Sequence, residues 1–118
     1  MSMSSHTLYH NPRCSKSRQA LALLEENGIE PEVVRYLETP PDAATLKALL
    51  RKLGLKRAHD LVRHKEAEYK TAGLSPESDD DKVIAAMAKY PKLIERPILV
   101  HGKHAVIGRP PEKVLEIL

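Results

Sequence analysis

The sequence lacks the features that define secreted and membrane proteins. Its 118 residues include one cysteine, Cys14, so no internal disulfide can form. No apolar run approaches the ~20 residues that a membrane-spanning helix needs. The segment 1–6 is short and polar, without the apolar stretch of a signal peptide. These absences predict a cytoplasmic protein, because reducing compartments keep thiols from pairing.

Large aromatic residues are almost missing as well. There is no tryptophan or phenylalanine and there are four tyrosines, so the core must be aliphatic. Hydrophobic residues make up 42% and charged residues 30%, which is ordinary for a globular protein and excludes a disordered or collagen-like chain. The length is that of one domain, and we expect a single domain over 1–118 with a flexible tail at 1–6.

Charge of one sign is not concentrated anywhere. The net charge is +3 and the basic residues are scattered among 16 acidic ones, so no stripe for a nucleic-acid backbone stands out. The sequence has no glycine-rich phosphate loop. Its six histidines and single cysteine lack the pattern of four convergent zinc ligands. We therefore expect no metal, no bound cofactor, and neither nucleic acid nor a membrane as partner.

What the sequence does contain is an alternation of strand and helix signals. β-Favouring residues predict four strands, at 7–9, 32–37, 98–100 and 105–107. Apolar residues at helical spacing predict helices at 15–27 and 43–53 and shorter helical pieces within 57–72. They also predict a helix that is capped by Ser78 or Asp79 and ended by Pro91, and a last helix from Pro110. This order predicts an α/β sandwich of the thioredoxin-like type, with a four-stranded mixed sheet and a helical insertion between strands 2 and 3.

Two helix ends carry more specific predictions. The segment Thr39-Pro-Pro-Asp42 has the form of a capping box, with Pro40 at the first helical position. In the last helix, an α-helical period places Val114, Leu115 and Leu118 on the buried side.

Cys14 lies where a strand and an Asn-Pro turn meet the start of a predicted helix. Unpaired backbone N–H groups and the positive end of the helix dipole gather there, and both favour a thiolate over a thiol. The same position suits a bound anion. Cys14 could instead be a small buried residue. The polar residues on both sides of it, Arg13 and 15–18, favour a reactive thiol.

Neighbouring residues supply further polar groups. Ser15 and Ser17 add hydroxyl groups, and His10 and Arg18 add cationic or hydrogen-bonding character. A dithiol oxidoreductase would need a second cysteine in place of Ser17, so any redox cycle must use a thiol from outside the chain. A Cys-x5-Arg phosphatase loop would need an arginine at position 20, where the sequence has alanine.

Three arginines elsewhere in the chain are candidate ligands for a small anion: Arg63, Arg96 and Arg109. Arginine offers planar, permanently charged donors that suit an oxyanion. Taken singly, each could also be a solvated surface residue. Arg96 and Arg109 each precede a proline, which holds their backbones extended. Because few X–Pro bonds are cis, the base rate predicts a trans bond between Arg96 and Pro97.

Five segments in order resemble the ArsC family, the thioredoxin-fold arsenate reductases that use glutathione and glutaredoxin. The resemblance runs from Thr7 to Leu118. Its segments are Tyr9-His-Asn-Pro-Arg-Cys-Ser-Lys-Ser-Arg18, Tyr36-Leu-Glu-Thr-Pro-Pro41, Leu61-Val-Arg63, Leu93-Ile-Glu-Arg-Pro-Ile98 and Gly108-Arg-Pro110.

The resemblance implies roles for particular residues. Cys14 is then the nucleophile that attacks arsenic, His10 lies near the thiol, and Ser17 assists formation of the thiolate. Arsenate and the thiol-bound intermediates are bound by three arginines: Arg63, Arg96 and Arg109. Pro97 follows a cis peptide bond, against the base rate. The implied substrate is arsenate or a similar small oxyanion, with glutathione as cosubstrate and glutaredoxin as partner.

Two other functions share parts of this pattern. Spx-type transcriptional regulators, which bind RNA polymerase, have the same fold and similar motifs, and they often carry a Cys-x-x-Cys pair. Ser17 at the second position weighs against that branch. A general glutathione-dependent thiol redox enzyme would also use a lone reactive cysteine.

Overall fold

The computed structural model describes residues 6–118. Its strands and helices are β1 His6–His10, α1 Ser15–Glu26, β2 Glu32–Arg35, α2 Ala43–Leu53, α3 Ala67–Thr71, α4 Asp80–Lys89, β3 Ile98–His101 and β4 His104–Ile107. Within the same residues, 3₁₀ helices cover Ala58–Leu61, Pro91–Leu93 and Pro111–Ile117. Positions 1–5 of the predicted tail lie outside the described residues. The tail prediction is wrong at His6, which is buried as the first residue of β1.

The described strands form one mixed sheet in the order β2-β1-β3-β4. β1 runs parallel to β2 and antiparallel to β3, and β4 pairs antiparallel with β3 through a tight hairpin. The predicted α/β class, the four-stranded mixed sheet and the helical insertion between strands 2 and 3 are therefore confirmed. β2 is shorter than predicted and ends at Arg35.

The contacts of the chain divide it into two compact units. One comprises the chain up to Thr39 together with Arg96–Leu118, and the other comprises Pro40–Glu95. The expectation of a single domain stays a prediction. The first unit contains the sheet, α1 and the last 3₁₀ helix, around an aliphatic core of Leu8, Ala20, Leu24, Leu99 and Val114.

The second unit is the helical insertion, in which α2 packs against α4. Asp42 caps α2, because its carboxylate accepts a hydrogen bond from the backbone N–H of Thr45 at 2.8 Å. The predicted cap at Thr39 is wrong. Pro40 precedes another proline, which disfavours the helical conformation at Pro40 and delays the helix start. Of the two caps predicted for α4, Ser78 and Asp79, the cap is Asp79, whose carboxylate accepts from Lys82 N–H at 2.8 Å.

The last helix buries a different face from the predicted one. It is a 3₁₀ helix, with three residues per turn, so side chains three positions apart lie on the same face. Pro111 and Val114 are buried, whereas Leu115 is 37% exposed and Leu118 is 40% exposed. The prediction of a buried Leu115 and Leu118 is wrong because it assumed an α-helical period.

Two proline bonds of the first unit are cis, Arg96–Pro97 and Arg109–Pro110. The base-rate prediction of a trans bond before Pro97 is wrong, and the bond is cis as the family resemblance implies. Nothing in the sequence analysis predicted the second cis bond.

Candidate active site

Cys14 lies immediately before α1, as the sequence predicts, and its backbone is extended. Its own N–H donates to the carbonyl oxygen of Asn11 at 3.0 Å, which closes the turn after β1. Its carbonyl oxygen accepts from Arg18 N–H at 3.0 Å, the first hydrogen bond of the helix. The side chain is partly buried and is positioned at the amide end of the helix.

The surroundings of Cys14 favour its ionised form. Burial raises the pKa of the thiol, but this effect is overcome by the backbone N–H of Ser17, the Arg96 guanidinium and the backbone N–H of Lys16. The resulting pKa of Cys14 is lower than that of an ordinary thiol. A larger share of Cys14 is therefore thiolate at neutral pH, and the thiolate is the nucleophilic form.

Arg96 and Arg109 lie close together in the first unit. Arg96 is partly buried, and its guanidinium lowers the pKa of the Cys14 thiol through its charge and its hydrogen-bonding capacity. Within residues 6–118, the buried Nε atom of Arg96 has no hydrogen-bond partner. Arg109 is exposed, and its Nη1 donates to the carbonyl oxygen of Arg96 at 3.3 Å. Arg96 thus acts on the sulfur and Arg109 contacts the backbone of Arg96, and anion binding by either residue stays a prediction.

The third predicted anion ligand, Arg63, belongs to the helical insertion. Its guanidinium lies 3.5 Å from the carboxylate of Glu66 and 3.6 Å from that of Glu95. Its backbone N–H donates to Leu93 O at 2.7 Å. These contacts lie within the second unit, and a role for Arg63 in anion binding stays a prediction.

His10 and Ser17 form a buried pair behind the turn. Nδ1 of His10 lies 2.7 Å from Oγ of Ser17, and the same Oγ accepts from Asn11 N–H at 3.0 Å. His10 is 5% exposed and Ser17 is fully buried. The pair therefore holds the turn that precedes Cys14, and it is the backbone amide of Ser17 that lowers the thiol pKa.

Of the two characters expected of His10, cationic or hydrogen-bonding, the structure favours the second. Burial, Arg35 and Arg18 each lower the pKa of His10, in that order of size, so the imidazole is neutral at neutral pH. The low pKa of Cys14 is caused by Arg96 and two backbone amides and not by His10. His10 acts on the site through its hydrogen bond to Ser17.

Two residues of this region were not singled out from the sequence. Asn11 closes the turn with its backbone carbonyl and also accepts from Arg13 N–H, through Oδ1, at 3.0 Å. Arg35 is the register partner of His10 on the parallel strand β2. The Asn-Pro pair is a turn signal that could indicate Asn11. The pairing of Arg35 depends on strand register, which the sequence pattern leaves open.

His101, at the end of β3, makes contacts that the sequence did not indicate. The ring of His101 stacks on that of His6 with centroids 4.0 Å apart, and its Nδ1 lies 2.6 Å from Ile117 O. In the part of the chain that the structure describes, no group of three or more His, Cys, Asp and Glu side chains could hold a metal ion. No helix in this part is long and apolar enough to cross a membrane.

Comparison with known proteins relates this geometry to a family. The model of the ArsC family matches residues 9–117. The uncharacterized protein YfgD of Escherichia coli K12 is 59% identical over 112 residues, which cover 94% of each chain. An arsenate reductase of Neisseria meningitidis is 50% identical over 112 residues, 94% of this chain and 96% of the other. The solved arsenate reductase from Vibrio cholerae superposes with a TM-score of 0.94 at 52% identity, covering 99% of this chain and 100% of the other.

Proposed function

The chain belongs to the ArsC family and has its thioredoxin-like fold, and from that premise we propose that it is an arsenate reductase with Cys14 as its nucleophile. The observation that carries the proposal is the low pKa of the Cys14 thiol beside the guanidinium of Arg96. A thiolate attacks an electrophilic centre, and an adjacent fixed cation binds the oxyanion that carries this centre.

The arginines neutralise the substrate. Arsenate is an anion, so a bare thiolate would repel it, and fixed guanidinium groups remove that repulsion without reorganisation during the reaction. Arg96 contributes directly at Cys14, and its buried Nε atom has donor capacity that no group of the described chain uses. Arg109 approaches the same backbone segment. The family resemblance adds Arg63 to this proposed set, and within its own unit its guanidinium lies beside the carboxylates of Glu66 and Glu95.

The first step forms a sulfur–arsenic bond. The Cys14 thiolate attacks arsenic, one arsenic–oxygen bond breaks, and the departing oxygen takes up protons and leaves as water. An external thiol then replaces a second oxygen in the same way. A further thiol then attacks the arsenic-bound sulfur of the external thiol, and the two sulfurs leave as a disulfide. The electron pair of the broken sulfur–arsenic bond stays on arsenic and reduces As(V) to As(III). Water finally cleaves the bond between Cys14 and As(III), which releases arsenite and regenerates the thiol.

Two external thiols are needed because Cys14 ends the cycle unchanged while arsenic gains two electrons. The chain has no second cysteine that could supply them. We propose glutathione as the first thiol and a glutaredoxin as the source of the second. Thiols carry the electrons, so the scheme uses no resident cofactor, and it requires the reducing conditions of the cytoplasm.

The test is arsenate turnover by the purified protein with glutathione and glutaredoxin. The wild-type protein should release arsenite, and Cys14→Ser should abolish the release while Ser15→Ala retains it. Turnover by Cys14→Ser would overturn the role of Cys14 as nucleophile. A protein without arsenate turnover that binds RNA polymerase would be Spx-like. Reduction of a glutathionylated protein that is unaffected by Arg109→Ala would indicate a general thiol redox enzyme.

A further inference from the structure

A groove lies at the carboxyl ends of the two parallel strands. β1 ends at His10 and β2 ends at Arg35, and these two residues are partners in the parallel register. A cavity of about 380 Å³ opens there, between the turn after β1 and the segment after β2. Ligands of open α/β sheets bind in crevices at the carboxyl ends of strands, and this volume lies in the range of small-molecule sites.

A second cavity, of about 560 Å³, adjoins the first. Both are lined by His10, Arg35 and Glu38, and the second adds the apolar side chains of Leu21 and Val33. We refer to the two together as the strand-end groove. Its lining residues that carry the argument are His10, Asn11, Arg13, Arg35, Leu37 and Glu38.

The charged groups of the groove are available to a ligand. Nη1 of Arg35 lies 3.8 Å from Oε2 of Glu38, and the two side chains are 62% and 69% exposed, so their ion pair is weak. Arg13, which also lines the groove, is exposed as well. The groove therefore presents two guanidinium groups and one carboxylate beside an apolar surface. This set complements a small molecule that carries two carboxylates and one ammonium group.

One wall of the groove is continuous in the chain with the residue that carries the reactive thiol. Its wall at Asn11 and Arg13 is the segment that immediately precedes Cys14, and Cys14 N–H donates to Asn11 O. His10 lines the groove and is bonded through Nδ1 to Ser17, whose amide stabilises the thiolate. A ligand in the groove would thus lie beside the turn that carries the reactive sulfur.

We propose that the strand-end groove binds the first reducing thiol of the proposed reaction, a tripeptide-sized thiol with two carboxylates and one ammonium, such as glutathione. Arg13 and Arg35 bind the carboxylates and Glu38 binds the ammonium. This inference rests on the proposed function, since that function supplies the need for an external thiol. Arg96, which acts on the thiol, and Arg109, which contacts the Arg96 backbone, lie outside the groove lining and remain available for the oxyanion.

Steady-state kinetics test the assignment with two thiols. For Arg35→Gln we expect the KM for glutathione to rise about two- to fivefold, because one exposed ion pair with the ligand is lost. For the double variant, Arg13→Gln with Arg35→Gln, we expect this KM to rise about tenfold. The KM for arsenate should stay unchanged. With 2-mercaptoethanol, which has no carboxylate, the variants should match the wild-type protein. Arg51→Gln, an exposed arginine in the last turn of α2 and outside the groove lining, is the matched control.

Binding of S-methylglutathione, which cannot react, tests the groove without turnover. We expect its addition to shift the backbone NMR signals of Asn11, Arg35 and Glu38, and we expect Arg35→Gln to weaken these shifts. Normal arsenate turnover with an unchanged glutathione KM in the double variant would overturn the groove and leave the proposed function standing. Binding of S-methylglutathione at the groove by a protein without arsenate turnover would support the groove and overturn the proposed function. Shifts confined to another face would also overturn the groove.

Discussion

Nδ1 of His10 lies 2.7 Å from Oγ of Ser17, at the centre of a buried network that shapes the turn before Cys14. The Ser17 hydroxyl oxygen also accepts from Asn11 N–H, so its own hydrogen can be donated to a neutral His10. The low pKa of His10, caused by burial and then by Arg35 and Arg18, keeps Nδ1 available as that acceptor. The network and the protonation state of His10 therefore support each other.

Removal of the Ser17 hydroxyl should destabilise the protein. Ser17→Ala leaves the buried Nδ1 of His10 and the N–H of Asn11 without their shared partner, at an expected cost of about 1–3 kcal/mol in the free energy of unfolding. Urea denaturation measures this change. Ser15→Ala, on the exposed side of the same helix turn, is the control and should change it by less than about 0.5 kcal/mol. Equal losses in both variants would contradict the role of the network.

The stability of the protein should depend on pH through His10. Its folded-state pKa is below the ordinary value, so the unfolded chain binds the proton more readily. The contribution of neutral His10 to stability is complete above about pH 6.5 and is lost as the pH falls through the lowered folded-state pKa. Urea unfolding at a series of pH values should show a smaller loss on acidification for His10→Gln than for the wild-type protein. His104→Gln, exposed on the hairpin, should keep the wild-type dependence.

Ionisation of Cys14 should depend on Arg96. Replacement of Arg96 by glutamine removes a charge and a hydrogen bond that favour the thiolate, so the pKa of Cys14 should rise. The rate of alkylation by iodoacetamide, measured against pH, reports this pKa, and the rate at neutral pH should fall several-fold. Lys92→Gln, at an exposed cation near in sequence, should leave the profile unchanged and weaken arsenate binding less. Identical profiles for the two variants would show that Arg96 does not act on the thiol.

Gly108 is packed too closely for a side chain. A Cβ atom there would lie 2.9 Å from Cγ of Pro97 and 3.0 Å from Cγ1 of Val114, so Gly108→Ala should cost about 1–3 kcal/mol in the free energy of unfolding. Displacement of Pro97 should also slow alkylation of Cys14, because Arg96 is attached to Pro97. Gly28→Ala provides the comparison. Its Cβ would enter open space at a φ of +75°, so it should lose stability without any change in alkylation.

Local chemistry explains which features the sequence predicted. The turn, the helix start and the polar flank of Cys14 are all encoded within the segment 10–18, and the structure places the thiol accordingly. The low pKa of His10 depends first on its burial and then on Arg35, which approaches only after β1 and β2 pair in register. A sequence pattern does not encode that distance.

Misplaced helix features have an equally physical origin. Asp42 caps α2 because consecutive prolines exclude an earlier start, although Thr39 matches the capping pattern. The exposure of Leu115 follows from the period of the 3₁₀ helix, whereas the spacing of the apolar residues suggested an α-helix. In both cases a backbone constraint overrode the side-chain pattern.

Two of the groups that stabilise the Cys14 anion are main-chain amides, those of Lys16 and Ser17. Every amino acid except proline carries such an amide. Replacement of the exposed Lys16 by any other residue that keeps the helix therefore leaves this contribution to acidity intact. Relatives can carry different residues at position 16 and still have an acidic thiol. Proline is the exception, because it lacks the backbone N–H, so selection should remove it at this position.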